Sequence, residues 1–428
     1  MNQSVPDIDS IRAQFPALTS PTVFLDNAGG SQLPACVIEA AGEYLRNSFV
    51  QGGADYELSK NVTATIAAAR SLVSTFLNAG SLGHVLLGSS TTALLHTVAN
   101  AYAMAHARGD LPKQRNQLIV SIAGHEANIG PWSNLAERGF DIVWWKPVLD
   151  SAGDMTHNIA SLAPLLTPRT LMVMFPQVSN IFGDIWDAAP LCKLAREHGA
   201  LSVVDGVAFA PHQLPDVAAI GCDWYVYSTY KVFGPHMGAL FGTHAAFAPL
   251  TGPNHYFIDR AAVPQKFELG GASHEGCAMI AGGGRYYEFL SGARATAGTA
   301  YVAPSRQTLR DAFARVEALE TPLQALLIEQ LLTIPGLRLL GPARADSSRV
   351  STVSFTVEGR RSRELALALN GKSFGCRHGH FYSKRLLEHI GIADPADGVV
   401  RISLSHYNTA GEVERVVAAL KHACNTAV

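Results

Sequence analysis

The 428-residue chain has little charge of either sign: 16% of its residues are charged and the formal net charge is −2. A balance so close to neutral leaves no electrostatic footprint for nucleic acid. Long apolar runs are missing too. None approaches the roughly 18 residues needed to cross a bilayer, and the opening MNQSVPDIDSIRAQF lacks the basic-then-apolar order of a secretory leader. The expectation is a cytoplasmic protein with no membrane and no nucleic-acid partner. The 6 cysteines (Cys36, Cys192, Cys222, Cys277, Cys376, Cys424) form no CxxC pair, so neither a zinc site nor a disulfide framework is indicated and no metal is expected. Internal repeats, low-complexity tracts and long charged runs are also lacking, which removes solenoid and disordered classes.

What is present is a regular alternation. QLIVSI, DIVWW, LMVMF, LSVVD and WYVYS are short apolar runs that read as buried strands, and APLCKLAREHG between two of them reads as a helix stopped by glycine. Strands alternating with helices imply an α/β core, a mainly parallel sheet covered on both faces. After about residue 300 the pattern changes. A long helix (SRQTLRDAFARVEALETPLQALLIEQLLTI), a strand (RVSTVSFTVEG) and helices SRELALALNG and AGEVERVVAALKHA fit a smaller α+β domain. The expected organisation is an N-terminal segment 1–20 joining the small domain, a large domain 21–290 and a small domain 291–428.

In such sheets functional groups collect at the carboxyl ends of strands. Lys231, in YSTYKVFGPHMG, follows one strand between hydroxyl residues and a Gly-Pro turn. Asp205 ends the apolar run LSVVD, where a carboxylate is costly unless it meets a cation; a turn-forming Asp is the plainer alternative. Gly88, Ser89, Ser90 and Thr91 open a helix whose free N–H groups suit a phosphate, although simple capping explains the same residues. His125, in AGHEANIGPW, offers a flat ring, or is an ordinary loop histidine. Amine, carboxylate and phosphate cradle in one sheet are what an imine-forming pyridine cofactor requires.

The motifs FLDNAGG, HEANIGPW, VSNIFG, VVDGVAFAPH, STYKVFGPHMG, FELGGASHE and VRISLSHYNT occur in the order of the class V, fold type I pyridoxal-phosphate family, and the chain most resembles its cysteine desulfurase-like branch. The resemblance covers almost the whole chain and implies a large domain with a mainly parallel seven-stranded sheet plus a smaller α+β domain. It implies pyridoxal 5'-phosphate as cofactor, an amino-acid substrate, and a homodimer with the FELGGASHE loop reaching the other protomer's site. Carried onto this chain, it makes Lys231 the Schiff-base lysine, Asp205 the partner of the pyridine nitrogen and His125 the stacking ring. Asn180 is implied near the cofactor hydroxyl and the substrate. Ser90, Thr91 and Ser228 are implied phosphate ligands, with Tyr230 in place of a histidine. Arg401 is the implied grip on the substrate carboxylate, with Asn27 and Ala28 beside it.

Four departures matter. Where the branch carries its sulfur-accepting cysteine, CRHGHFYSKRL places Tyr382, and a phenol forms no persulfide. Cys376 stands six residues upstream, as a displaced nucleophile or a buried strand cysteine. Ala208 replaces a frequent hydrogen-bonding residue, and Gly271 a frequent phosphate-binding threonine. His378, His380 and Tyr382 offer protons to a leaving group, or simply form a polar loop. The expected reaction is β-elimination on cysteine or an S-substituted cysteine, a C–S lyase without a persulfide relay. The alternatives are a class V aminotransferase or epimerase, and a low-turnover cofactor-binding protein.

Overall fold

The computed structural model describes residues 6–293 and 301–425; the first five residues of the expected N-terminal segment lie outside that range. Its centre is a seven-stranded sheet built from β1 (Gly83–Gly88), β2 (Gln117–Ser121), β3 (Asp141–Trp145), β4 (Thr170–Pro176), β5 (Leu201–Asp205), β6 (Trp224–Ser228) and β7 (Gly238–Thr243). The spatial order is β1-β7-β6-β5-β4-β2-β3. All pairs are parallel except those of β7, which runs antiparallel to both β1 and β6.

Why the middle strands read as unbroken apolar runs is visible in their packing. Ile119, Val173, Phe175, Val204 and Tyr225 enter the core on one face, whereas Leu118, Val120, Met174, Val203 and Val226 enter the core on the other. With period two and helices on both sides, every position of β2, β4 and β6 is buried, and all of β5 but Leu201. One face is covered by helices Glu57–Leu77 and His274–Leu290, the other by Thr91–Arg108.

The later part of the chain forms a four-stranded antiparallel sheet of β8 (Leu337–Leu340), β9 (Thr352–Val357), β10 (Arg377–Gly379) and β11 (Val399–Ser403), in the order β8-β9-β11-β10. Helices Arg306–Leu331, Ser362–Asn370 and Ala410–Asn425 cover it around their own apolar core. The two parts are stitched together by the N-terminal region. Val23–Phe24 pairs in parallel with Phe374–Gly375, Asp26 bridges to Ser403, and Arg12 bonds the Tyr407 carbonyl and Glu412. No helix among the described residues is long and apolar enough to cross a membrane.

Candidate active site

Lys231 closes the short turn Thr229–Lys231 after β6, and Asp205 is the last residue of the adjacent β5. Both are buried, with 8% and 4% of their surface exposed. Burial pulls the Lys231 amine from 10.5 down to about 8; the Arg401 charge lowers it further, while Asp205 and Asp26 draw it back. At pH 7 roughly a tenth of such an amine is neutral and nucleophilic. Burial pushes the Asp205 carboxyl up to about 6, against the Val207 N–H that donates to Oδ1 at 2.9 Å and the attraction of Lys231. Burial shifts each group toward its neutral form, so a cation facing Asp205 or a covalent partner for Lys231 relieves the cost of holding charge there.

The hydroxyls gather at the start of helix Thr91–Arg108. Thr91 Oγ1 and Ser228 Oγ lie 2.7 Å apart, both buried. Ser90 caps the helix, its Oγ accepting the Ala93 N–H at 3.1 Å, so the capping alternative holds and its own O–H is left to donate. Gly238 presses on this spot: a Cβ there would meet the Thr91 nitrogen at 2.5 Å. Gly271, at φ +83, lines a cavity of about 540 Å³ together with Ser89, Ala93 and His236. The Tyr230 ring stacks on His236, with centroids 4.7 Å apart and planes 17° apart. Ala208 packs beside Val178, Phe209 and Val350.

Arg401 projects from β11 and is 3% exposed. Its Nη2 donates to Asp26 Oδ1 at 3.1 Å, its Nη1 to the Asn180 carbonyl at 3.3 Å, and the Phe381 ring centroid lies 3.8 Å from the guanidinium carbon. Burial lowers it to about 10, so it stays cationic at neutral pH. Asn27 and Ala28, expected beside the substrate carboxylate, have their polar groups engaged within the protein. The Asn27 amide donates to the Phe24 and Ser403 carbonyls and to Asn408 Oδ1 (3.0, 2.8 and 3.2 Å), and its Oδ1 accepts from Tyr407; the Ala28 N–H is bonded to Ser403 Oγ at 2.8 Å. With these groups engaged, both positions anchor the N-terminal strand to β11. Their neighbour Asp26, which sequence reasoning passed over, is the residue that meets Arg401.

The mouth is formed by the loop after β10. Phe381 and Tyr382 stand at φ +48 and +59, left-handed values that cost non-glycine residues of order 1–3 kcal/mol each. Several bonds hold them there. Asn180 Nδ2 donates to the Phe381 carbonyl (2.9 Å), Ser383 Oγ to Asn180 Oδ1 (2.7 Å), Glu126 N–H to the Tyr382 carbonyl (2.8 Å), and Tyr382 N–H to His380 Nδ1 (3.0 Å). The Asn180 amide thus has a loop-holding duty that its sequence position did not reveal. Tyr382 is 59% exposed, and its ring lies 4.9 Å from that of His125 at a 36° tilt. His125 Nδ1 accepts the Ala127 N–H, which puts the ring proton on Nε2; burial, with Lys231 and Arg401 adding to it, lowers His125 to about 3. Cys376 is buried, and burial pushes its thiol up to about 12.

These residues fit pyridoxal phosphate on their chemistry: a poised amine, a buried carboxylate beside it, hydroxyls at a helix start that glycine keeps uncluttered, and a neutral imidazole near both cations. The comparisons agree. The family model for aminotransferase class V matches residues 23–416. An aminotransferase-like protein of Gibberella zeae is 37% identical over 98% of this chain and 99% of its own. A cysteine desulfurase-like protein of Aspergillus flavus is 30% identical over 96% and 89%. The apo cysteine desulfurase of Thermococcus onnurineus superposes with a TM-score of 0.82 at 22% identity, covering 98% of each chain. The chain belongs to the class V aminotransferase family, fold type I enzymes that use pyridoxal 5'-phosphate.

Proposed function

We propose that the protein is a pyridoxal-phosphate-dependent C–S lyase that removes a sulfur leaving group from the β-carbon of cysteine or an S-substituted cysteine, with no persulfide relay. One amino acid and one water give one thiol, one pyruvate and one ammonium ion. The observation that carries this reading is the mouth of the site. Tyr382 stands over His125 where a relay would need a thiol, and burial raises all six cysteine thiols.

When bound, the cofactor supplies the electron sink that makes the substrate's Cα proton acidic. Arg401 grips the α-carboxylate through charge-assisted hydrogen bonds. Lys231 Nζ, poised near neutrality, takes the Cα proton. The Cβ–S bond breaks with its electron pair leaving on sulfur, which takes a proton from Tyr382 Oη or from the His380 ring. Asp205 holds positive charge at the buried end of the site, and His125 keeps a neutral ring against water. Thr91, Ser228 and Ser90 hold the phosphate.

A second reading, transamination, is favoured by the similarity to the aminotransferase-like protein of Gibberella zeae, and the same amine, carboxylate and arginine serve it. The test is a single incubation of the loaded enzyme with cysteine. Equal pyruvate and sulfide with no sulfane sulfur on the protein supports elimination; protein-bound persulfide contradicts the relay-free reading. Substrate-derived keto acid other than pyruvate with loss of the cofactor's visible band moves the enzyme to the transaminases. The proposed assembly is a homodimer, which would cover Tyr256, Phe257 and Leu269, exposed by 97%, 72% and 61% on the segment that carries FELGG.

A further inference from the structure

Arg377 and Arg401 are directly opposite each other in the antiparallel pair β10–β11, so their side chains rise from the same face of the sheet. Like charges in that relation repel, and what lies between them is one carboxylate. Asp26 places Oδ1 3.1 Å from Arg401 Nη2 and Oδ2 3.5 Å from Arg377 Nη1. Arg401 is buried, whereas the Arg377 side chain is 56% exposed. Two cations thus share one anion. The shortfall is visible in the buried Nε–H of Arg401, which has no hydrogen-bond partner among the described residues. An unpartnered, buried N–H on a guanidinium is costly unless an acceptor arrives.

We propose that Asp26 is a placeholder for the substrate: it holds Arg401 until an amino acid's α-carboxylate arrives, and is then handed outward to Arg377. Asp26 and Arg377 are positioning residues in this account, since they act on substrate through Arg401. The step is an exchange of ion pairs and breaks no covalent bond. The Phe381 ring covers one face of the Arg401 guanidinium, so the incoming carboxylate approaches by the N–H edge, where Asp26 already sits. The same three charges act on the Lys231 amine, Asp26 raising its pKa and both arginines lowering it, so they face one shared space. The exchange concerns carboxylate recognition and holds for elimination or transamination alike.

The experiment is a double-mutant cycle on the cofactor-loaded enzyme, with propionate as probe because it has a carboxylate and no amine. The affinity for propionate is read from its shift of the visible band and of the melting temperature. Asp26→Asn is expected to tighten propionate about tenfold, which is ~1.4 kcal/mol. Arg377→Ala alone is expected to weaken it several-fold, because Asp26 then stays on Arg401. In the Asp26→Asn background the Arg377→Ala effect should vanish; strictly additive effects, the mark of unlinked long-range charges, overturn the handover. A crystal structure of the wild-type enzyme with propionate needs no variant. It is expected to show Asp26 on Arg377 and propionate on Arg401; propionate bound with Asp26 still on Arg401 Nη2 overturns the proposal.

Discussion

Replacing Lys231 with methionine should make the cofactor-free protein more stable while abolishing its chemistry. The reason is the buried amine. In the unfolded chain a lysine holds its proton up to 10.5, but in the fold burial lowers that to about 8. Between those values the unfolded state binds more protons, so wild-type stability rises with pH across the window and is least below pH 8. At about 1.4 kcal/mol per pH unit, the separation is worth about 3 kcal/mol at pH 7, less a small loss because Lys231 also attracts Asp205. Methionine matches the lysine stem in length and carries no charge, so Lys231→Met removes the penalty. Urea unfolding of the apoprotein at pH 7 and at pH 10.5 measures it: the variant should be ahead by about 2–3 kcal/mol at the lower pH and level at the higher. A variant less stable at pH 7, or a gain that does not change with pH, would refute the reasoning.

Three further expectations follow from the site. The Asp205 carboxyl titrates near 6, so below pH 6 the affinity of the apoprotein for pyridoxal phosphate should fall about tenfold per pH unit, read by equilibrium titration; an Asp205→Asn variant should be weak and flat with pH. Thr91→Val or Ser228→Ala removes one hydroxyl from the buried pair, and a lost bond to a charged group costs about 1.5–3 kcal/mol, so cofactor affinity should drop by roughly tenfold to a hundredfold with the fold retained. Asn27→Ala breaks a fully bonded amide that ties the N-terminal strand to β11. It should destabilise the protein by about 2–4 kcal/mol in urea without changing the visible spectrum of the enzyme that remains folded.

Much of this was legible in the sequence. The five apolar runs became β2 to β6; β2, β4, β5 and β6 did so because a two-face-buried parallel strand writes itself as a continuous hydrophobic stretch, while the edge strand β3 is half-exposed, and Lys231 and Asp205 were marked by standing at the ends of such stretches. Strand β1 at one edge and its neighbour β7 left no such mark. Each carries glycine at its start, and in β7 close approach forbids anything larger: a Cβ on Gly238 would meet Thr91, and one on Gly242 would meet Trp224 at 2.4 Å. Asp26 was hidden for another reason. Its partners Arg377 and Arg401 lie more than three hundred residues away, and only the register of β10 on β11 brings them opposite each other. The bonds of Asn27 to Ser403 and of its neighbour Asp26 to Arg401 were hidden for the same cause, since they are tertiary contacts across more than three hundred residues. The strain at Phe381 and Tyr382 is likewise a product of long-range bonds from Asn180 and Glu126, which a local pattern of His, Phe and Tyr does not disclose.

The central claim is elimination that depends on Lys231, and the most direct test is pyruvate release from S-methyl-cysteine and related S-alkyl cysteines by the cofactor-loaded enzyme, with Lys231→Ala as control and methanethiol measured in parallel. The account predicts pyruvate and thiol in equal amounts from the wild type and none from the variant. Turnover that consumes the amino acid and returns no pyruvate, or pyruvate that persists without Lys231, would contradict it.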